Sequence, residues 1–200
     1  MHTRQKRIGI YAGVFDPVHA GHIAFGLQAL QAAQLDKLYF VPERRPYYKS
    51  GVEHYAHRVG MLNKACAPHR KFGVVELSDM SLTIKRTLPQ LRHRFAGAEL
   101  VFIFGSDAIA SLPMWPHAER FLQSTEFLIG VRSGHDTAAV SDMIRSWPTQ
   151  PKKFSVIESY APHVSSTSIR EALRERGSAA GLLASVARYS DRHWLYVSLQ

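Results

Sequence analysis

The sequence predicts an α/β protein, a doubly wound parallel sheet with helices on both faces. Three observations lead there. Short apolar runs rich in Ile, Val and Phe alternate along nearly the whole chain with longer segments of helical periodicity. The apolar runs are continuous rather than alternating, which suits strands covered on both sides. The stretches between them are long enough for the crossover helices that parallel strands require.

The elements follow in order. Residues 8–12 read as a buried strand, and Gly13 lets the chain turn tightly and come close to a ligand. Asp16 and Pro17 steer the backbone into a helix carrying Ile23, Leu27 and Leu30 on one face. A second strand over 37–41 closes at Pro42, and a helix over 53–66 is ended by Pro68. Residues 72–77 are strand-like, and 83–95 read as a helix with Pro89 inside it. Residues 99–104 form the clearest buried strand after the first. Then come a helix over 115–122, a strand over 126–131, a helix over 136–147 and a short strand over 154–157. The final helix, 168–176, is stopped by Gly177. No repeat, low-complexity tract or linker divides the chain, so residues 1–200 are expected to form a single domain.

Composition sets outer bounds. The 200 residues leave room for a sizeable core. No apolar run is long enough to cross a bilayer, so no membrane partner is expected. The basic start MHTRQKR leads into a strand rather than a secretory h-region. Cys66 is the only cysteine, which excludes an internal disulfide and makes a reducing cytoplasm the expected location. A formal net charge of +9 favours anionic partners without choosing among nucleotides, nucleic acid and membrane surfaces.

In a doubly wound sheet, ligands bind beyond the carboxyl ends of the strands, where strand order reverses. Gly13, Asp16, His19 and His22 follow the first strand, and 42–49 follow the second. Gly105, Ser106 and Asp107 follow the fourth, Arg132 the fifth and 165–170 the last. All are expected on one edge. His19 and His22 lie one turn apart at the mouth of a helix, where unpaired amides and the dipole favour an anion. Phosphate is the natural guest. On these residues alone, a metal site with Asp16 as third ligand and a pair of ordinary surface histidines near a cap stay open.

The chain lacks a credible nucleophile, since Cys66 falls in an amphipathic helix and no Ser sits in a G-x-S-x-G elbow. It also lacks the P-loop and the G-x-G-x-x-G fingerprint. Imidazoles, helix N-termini, a lysine and arginines suit chemistry in which the protein positions two anions and stabilises developing charge. Imidazoles that titrate near neutrality predict a rate that falls as pH rises past their pKa. Several residues also have plainer readings. Ser165 to Ser168 can cap the last helix, with Ser168 and Glu171 as a capping box. Asp107 can cap the helix after Gly105. Trp115 can pack under a loop, and Arg44, Arg45, Arg86, Arg92 and Arg94 can form a solvated face.

Five blocks carry a family resemblance. GVFDPVHAGH (13–22) resembles the GxFDPxHxGH signature of the HxGH nucleotidyltransferases, a superfamily with a Rossmann-like fold. VPERRPYYK (41–49) is similar to that family's segment after the second strand, and SLTIKRTL (81–88) to its Ser-Tyr-Thr-Ile-x-x-Thr-Leu block. FIFGSDAIASLPMW (102–115) and VSSTSIR (164–170) resemble the corresponding blocks of the nicotinate-nucleotide adenylyltransferase branch. The resemblance implies transfer of the adenylyl group of ATP to a mononucleotide, most simply nicotinate mononucleotide in NAD biosynthesis, with Mg²⁺-bound pyrophosphate leaving. It implies His19, His22 and Arg170 as the catalytic set. Gly13, Phe15, Asp16, Gly21, Gly105, Asp107, Ser165, Ser166 and Thr167 would contact ATP. Val14, Lys49, Thr83, Trp115 and Arg132 would contact the acceptor.

Three positions depart from the family pattern. Val14 stands where a hydroxyl residue is usual, Tyr48 replaces a His, and Leu82 replaces a Tyr. They leave open a paralogue with another phosphorylated acceptor, and a non-catalytic nucleotide-binding homologue. An RNA-binding module is disfavoured, because the basic residues are spread out and no RNP-type motif appears. A homo-oligomer stays open.

Overall fold

Continuous apolar strands pair side by side because burial on both faces leaves each backbone only its neighbours for hydrogen bonding. The computed structural model describes residues 4–46, 49–132, 136–160 and 164–197. Its strands are β1 (Arg7–Gly13), β2 (Lys37–Pro42), β3 (Phe72–Val74), β4 (Glu99–Gly105), β5 (Glu126–Arg132) and β6 (Lys153–Ser159). They form one parallel sheet in the order β3-β2-β1-β4-β5-β6. The chain builds outward from β1 to β3, then returns to lay β4 on the other side of β1. This is the doubly wound order, and it puts the reversal between β1 and β4.

The helices are α1 (Ala20–Ala32), α2 (Tyr55–Cys66), α3 (Ile84–Arg94), α4 (Ser106–Ile109), α5 (Ala118–Ser124), α6 (Thr137–Arg145), α7 (Ser166–Arg176) and α8 (Ala184–Arg192). Alternation along each strand divides the core into two layers. Leu38, Phe40, Val101, Ile103 and Leu128 face α1, α2, α7 and α8, meeting Ile23, Leu62, Ile169 and Val186. Ile10, Phe102, Phe104, Phe127 and Ile129 face α3 to α6, meeting Leu91, Ile109, Phe121 and Ile144.

The structure corrects several boundaries. The expected strand over 72–77 pairs only as far as Val74. The last strand is longer than 154–157 and runs its whole length against β5. The helix expected over 115–122 is a 3₁₀ turn at Leu112–Met114 followed by α5, with Pro113 inside the turn and His117 at a left-handed φ of 67°. Leu27 is 40% exposed and does not share the buried face of Ile23 and Leu30. Pro89 lies within an unbroken α3. The helix α8 was not anticipated: it packs on α2, where Tyr189 leaves no room for a side chain larger than that of Gly60.

The amino edge of the sheet is tied by charge. The guanidinium of Arg7 donates to Glu126 at 2.9 Å, to Glu99 and to the Ala33 carbonyl, and Lys153 reaches Glu126 at 3.0 Å. Glu126 is almost fully buried. Removing one partner of a buried pair strands the other charge, so Arg7→Met is expected to cost about 3 kcal/mol. A lowered urea midpoint, with activity retained in the folded protein, is the outcome that checks it.

Candidate active site

The site grows from the loop that joins β1 to α1. Gly13 ends the strand, Phe15 takes a left-handed φ of 53°, and the Asp16–Pro17 peptide is cis. The loop delivers His19 to the N-cap of α1 and His22 to its first turn. Their rings lie 3.8 Å apart between centroids, at 31° to each other. The His19 amide donates to Nδ1 of His22 at 3.3 Å. That bond assigns the proton of a neutral His22 ring to Nε2, which leaves Nε2 as the donor. Nδ1 of His19 is buried and has no partner among the described residues.

Burial pushes the His19 pKa down to about 4. Burial, then electrostatic repulsion from His19 and from Lys49, push His22 well below the usual imidazole value. Desolvation thus favours the neutral form of both rings at pH 7. The expectation of titration near neutrality is corrected by desolvation, which disfavours the charged form.

The amides of α1 are less free than a helix N-terminus suggests. Ala20 donates to the Gly181 carbonyl at 2.9 Å and His22 to the His19 carbonyl at 3.0 Å. Gly21 lines the cleft beside the imidazoles.

The second wall is the start of α7. Ser165 is its N-cap, accepting from the Ser168 amide at 3.0 Å, while the Ser165 amide donates to the Ser168 hydroxyl at 3.2 Å. The capping box is thus Ser165 with Ser168, one turn earlier than Ser168 with Glu171. Ser166 donates to the Pro17 carbonyl at 3.0 Å, which locks α7 to the β1–α1 loop. Arg170 donates to the Asp16 carbonyl at 2.7 Å and to the Thr167 hydroxyl at 3.3 Å. Gln28 of α1 holds the far end of β6, donating to the Glu158 carbonyl and accepting from the Tyr160 amide at 3.3 Å.

Beneath the loops lies Arg58, 1% exposed. Its guanidinium donates to four carbonyls, those of Glu53, Val14, Glu43 and Arg44, at 2.7–2.9 Å. Burial pushes its pKa down, and Asp16 opposes that shift. Its place one turn before Leu62 on the buried stripe of α2 was the available signal, and sequence reasoning passed it over.

The resulting cleft, about 850 Å³, opens at the carboxyl edge between β1 and β4. It brings together Gly13, Val14, Phe15, Asp16, His19, Gly21, His22, Lys49, Gly105, Asp107, Ser165, Ser166, Thr167 and Arg170. Sequence reasoning missed Tyr11, Phe25 and Gly130 as lining. A Cβ on Gly130 would stand 2.3 Å from the Phe25 ring, so only glycine leaves room for that ring against β5.

Two expected site residues lie outside the lining. Thr83 is the N-cap of α3, accepting from the Arg86 amide at 3.4 Å. Trp115 donates to the Ser111 hydroxyl at 3.1 Å and meets Phe104 edge-on at 6.1 Å. Arg132 ends β5 at the ligand edge, and its side chain, like Tyr48, lies outside the described residues. Gly105, not Asp107, is the N-cap of α4. Arg44 lies 4.2 Å over the Tyr55 ring, and Arg92 donates to Ser124, so these two are engaged rather than purely solvated.

The metal reading does not fit the geometry. Among the described residues no three His, Cys, Asp or Glu side chains converge. The Asp16 carboxylate is taken by Tyr196, which donates at 2.7 Å, and by the Glu53 amide at 3.4 Å. The cleft holds instead two imidazoles, a lysine, an arginine and the start of α7.

Known proteins resemble this chain in sequence and in fold. Residues 10–172 match the model of the family described as cytidylyltransferase-like. A protein of Leifsonia xyli subsp. xyli named "Probable nicotinate-nucleotide adenylyltransferase" is 35% identical over 98% of this chain and 96% of its own length. A protein of the same name from Solibacter usitatus is 32% identical over 95% of this chain and 99% of its own. The solved structure of Plasmodium falciparum nicotinic acid mononucleotide adenylyltransferase complexed with NaAD superposes with a TM-score of 0.76 at 20% identity. It covers 96% of this chain and 97% of that one, and it shows a common fold. With the family model spanning most of the chain and relatives matching it end to end, the protein belongs to the cytidylyltransferase-like nucleotidyltransferases, in the branch of the nicotinate-nucleotide adenylyltransferases.

Proposed function

We propose that this protein transfers the adenylyl group of ATP to nicotinate mononucleotide, a step of NAD biosynthesis, and releases pyrophosphate. The observation that carries the reading is the pair of adjacent imidazoles that line one cleft with Arg170, in a chain whose relatives bear that enzyme's name. ATP lies with its triphosphate between α1 and α7. The acceptor's phosphate oxygen attacks the α-phosphorus in line, and the bond to the bridging oxygen of the β-phosphate breaks. No side chain becomes covalently bound. Nε2–H of His22 and the ring of His19 hydrogen-bond the oxygens on which charge builds up, a role that needs donors fixed in place beforehand. Arg170, held by the Asp16 carbonyl, and the amides at the start of α7 take the β and γ phosphates. Lys49 neutralises charge on the acceptor side of the imidazoles.

Magnesium enters as part of the substrate. The described residues offer no acidic cage, which suits an ion carried in on phosphate oxygens. When bound there it neutralises charge on the departing pyrophosphate. No helix among the described residues is long and apolar enough to cross a membrane, and the cytoplasm, where both nucleotides occur, is the compartment we assign.

The direct test supplies MgATP with nicotinate mononucleotide, nicotinamide mononucleotide or phosphopantetheine, and CTP as alternative donor. Dinucleotide and pyrophosphate in equal amounts, from ATP and nicotinate mononucleotide foremost, is the expected result. Turnover only with another acceptor would point to a paralogue. His19→Ala and Arg170→Ala should each lower kcat by about a hundredfold or more, with circular dichroism unchanged.

The pH dependence follows from burial. With His19 near 4 and His22 below its usual value, kcat/KM for ATP should show no histidine inflection between about pH 6 and 8. Stability behaves otherwise. The unfolded chain binds a proton near the ordinary imidazole value of about 6.5. The folded His19 does so only near 4, so folding free energy is lost as pH falls through that window. Urea midpoints at about pH 7 and 5, compared between the native chain and His19→Asn, measure it; the variant should lose less.

A further inference from the structure

The segment after α8 reaches Asp16, one of the residues that line the cleft. After α8 the backbone turns back on itself through two left-handed residues, Trp194 at φ 53° and Tyr196 at φ 61°. Bulky side chains rarely adopt that conformation, and it persists only where surrounding contacts hold it. Here the Leu195 amide donates to the Ser190 carbonyl at 3.0 Å, and the Ser190 hydroxyl donates to the Leu195 carbonyl at 3.2 Å. The turn buries Tyr196 to 5% exposure beside Met61 of α2. Its hydroxyl donates at 2.7 Å to Oδ1 of Asp16, 180 positions earlier in the chain.

Asp16 is the residue that aims Arg170. Its carbonyl accepts from Arg170 Nη1 at 2.7 Å, and its Oδ2 lies 3.8 Å from the same nitrogen. Phe15, immediately before it, is also left-handed. The tyrosine therefore fixes the carboxylate, the carboxylate and its carbonyl fix the guanidinium, and the guanidinium faces the cleft. Burial raises the Tyr196 hydroxyl pKa, which keeps it a donor at every working pH.

We propose that Tyr196 is a positioning residue for the triphosphate, acting through Asp16 on Arg170, so that the segment after α8 completes the active site. Tyr196 touches no substrate in this scheme. The inference rests on the reading of Arg170 as a phosphate ligand, and it makes a prediction that a merely structural tyrosine would not. Loss of its hydroxyl should weaken ligands carrying β and γ phosphates and spare those without them.

The test is a double-mutant cycle on the full chain, read by calorimetric titration with ATP and with AMP. Tyr196→Phe should weaken ATP about tenfold, in the range expected for one hydrogen bond to a charged group, and leave AMP within about twofold. In an Arg170→Ala background the same substitution should change ATP affinity by less than about twofold, since the residue it acts on is gone. Equal weakening of ATP and AMP, or a full tenfold effect that survives in Arg170→Ala, overturns the proposal. If Tyr196→Phe does not fold, Asp16→Asn goes through the same cycle. It keeps an oxygen to accept from Tyr196 and removes the charge beside Arg170. ATP-selective, Arg170-dependent weakening supports the proposal there too, and equal weakening of AMP overturns it. Should the native chain make no dinucleotide from nicotinate mononucleotide, the acceptor assignment fails while the ATP and AMP titrations still decide the role of Tyr196.

Discussion

One buried guanidinium decides how the ligand edge is built. A parallel sheet ends in loops whose carbonyls have no ladder partner, and loops packed on each other cannot give all of those carbonyls to water. Arg58 answers this for the two loops that matter most. It joins Val14 of the β1–α1 loop to Glu43, Arg44 and Glu53 of the β2–α2 connection, from inside. Arginine suits the place because its planar fork serves several acceptors at fixed angles and keeps its charge when desolvated. That charge is balanced by carbonyl dipoles and by Asp16 rather than by a close carboxylate of its own. Other loop arrangements would have to bury the same cation against fewer acceptors, and that cost narrows the choice to this one.

The cleft divides its polar groups between those that hold and those that receive. Ser165, Ser166, Asp16, Gln28 and Tyr196 spend their hydrogen bonds on the protein. His19 keeps a buried ring nitrogen without a partner among the described residues, and His22 lines the cleft with its Nδ1 already engaged. A side chain that braces the wall cannot also turn to follow a ligand. Residues that resemble phosphate contacts in the linear pattern, such as the Ser165 and Ser166 hydroxyls, are thus first of all fasteners. Even the Ser165 amide is engaged in this way, donating to the Ser168 hydroxyl.

Much of this was legible before any coordinates. The continuous apolar runs announce a sheet buried on both faces, and six strand positions follow from them. The reversal rule then collects Gly13, His19, His22, Gly105 and the 165–170 segment on one edge, where the cleft lies. What stayed hidden has a common cause: long-range contact. Tyr196 looks like one more aromatic near the end of a polar helix, because its partner is 180 positions away. Arg58 looks like one charge among many, because carbonyl acceptors leave no trace in side-chain identity. The shift of the histidines is invisible for the same reason, since desolvation depends on what packs around a ring. Val74 shows the reverse case, where propensity continues past the point at which pairing stops.

Neutral imidazoles change what the net positive charge of the chain means at the site. Two imidazolium ions 3.8 Å apart would repel each other and each would bear a desolvation penalty before any ligand arrived. As neutral donors they cost less to bury, and in the proposed reaction their N–H dipoles meet developing negative charge. Fixed charge is left to Lys49 and Arg170, which flank the pair and are themselves more exposed. On the proposed reading, an incoming triphosphate meets Lys49 and Arg170 first and the imidazoles behind them. Attraction over distance is thereby separated from stabilisation at contact, and the second depends only on how firmly the loops beneath the rings are tied.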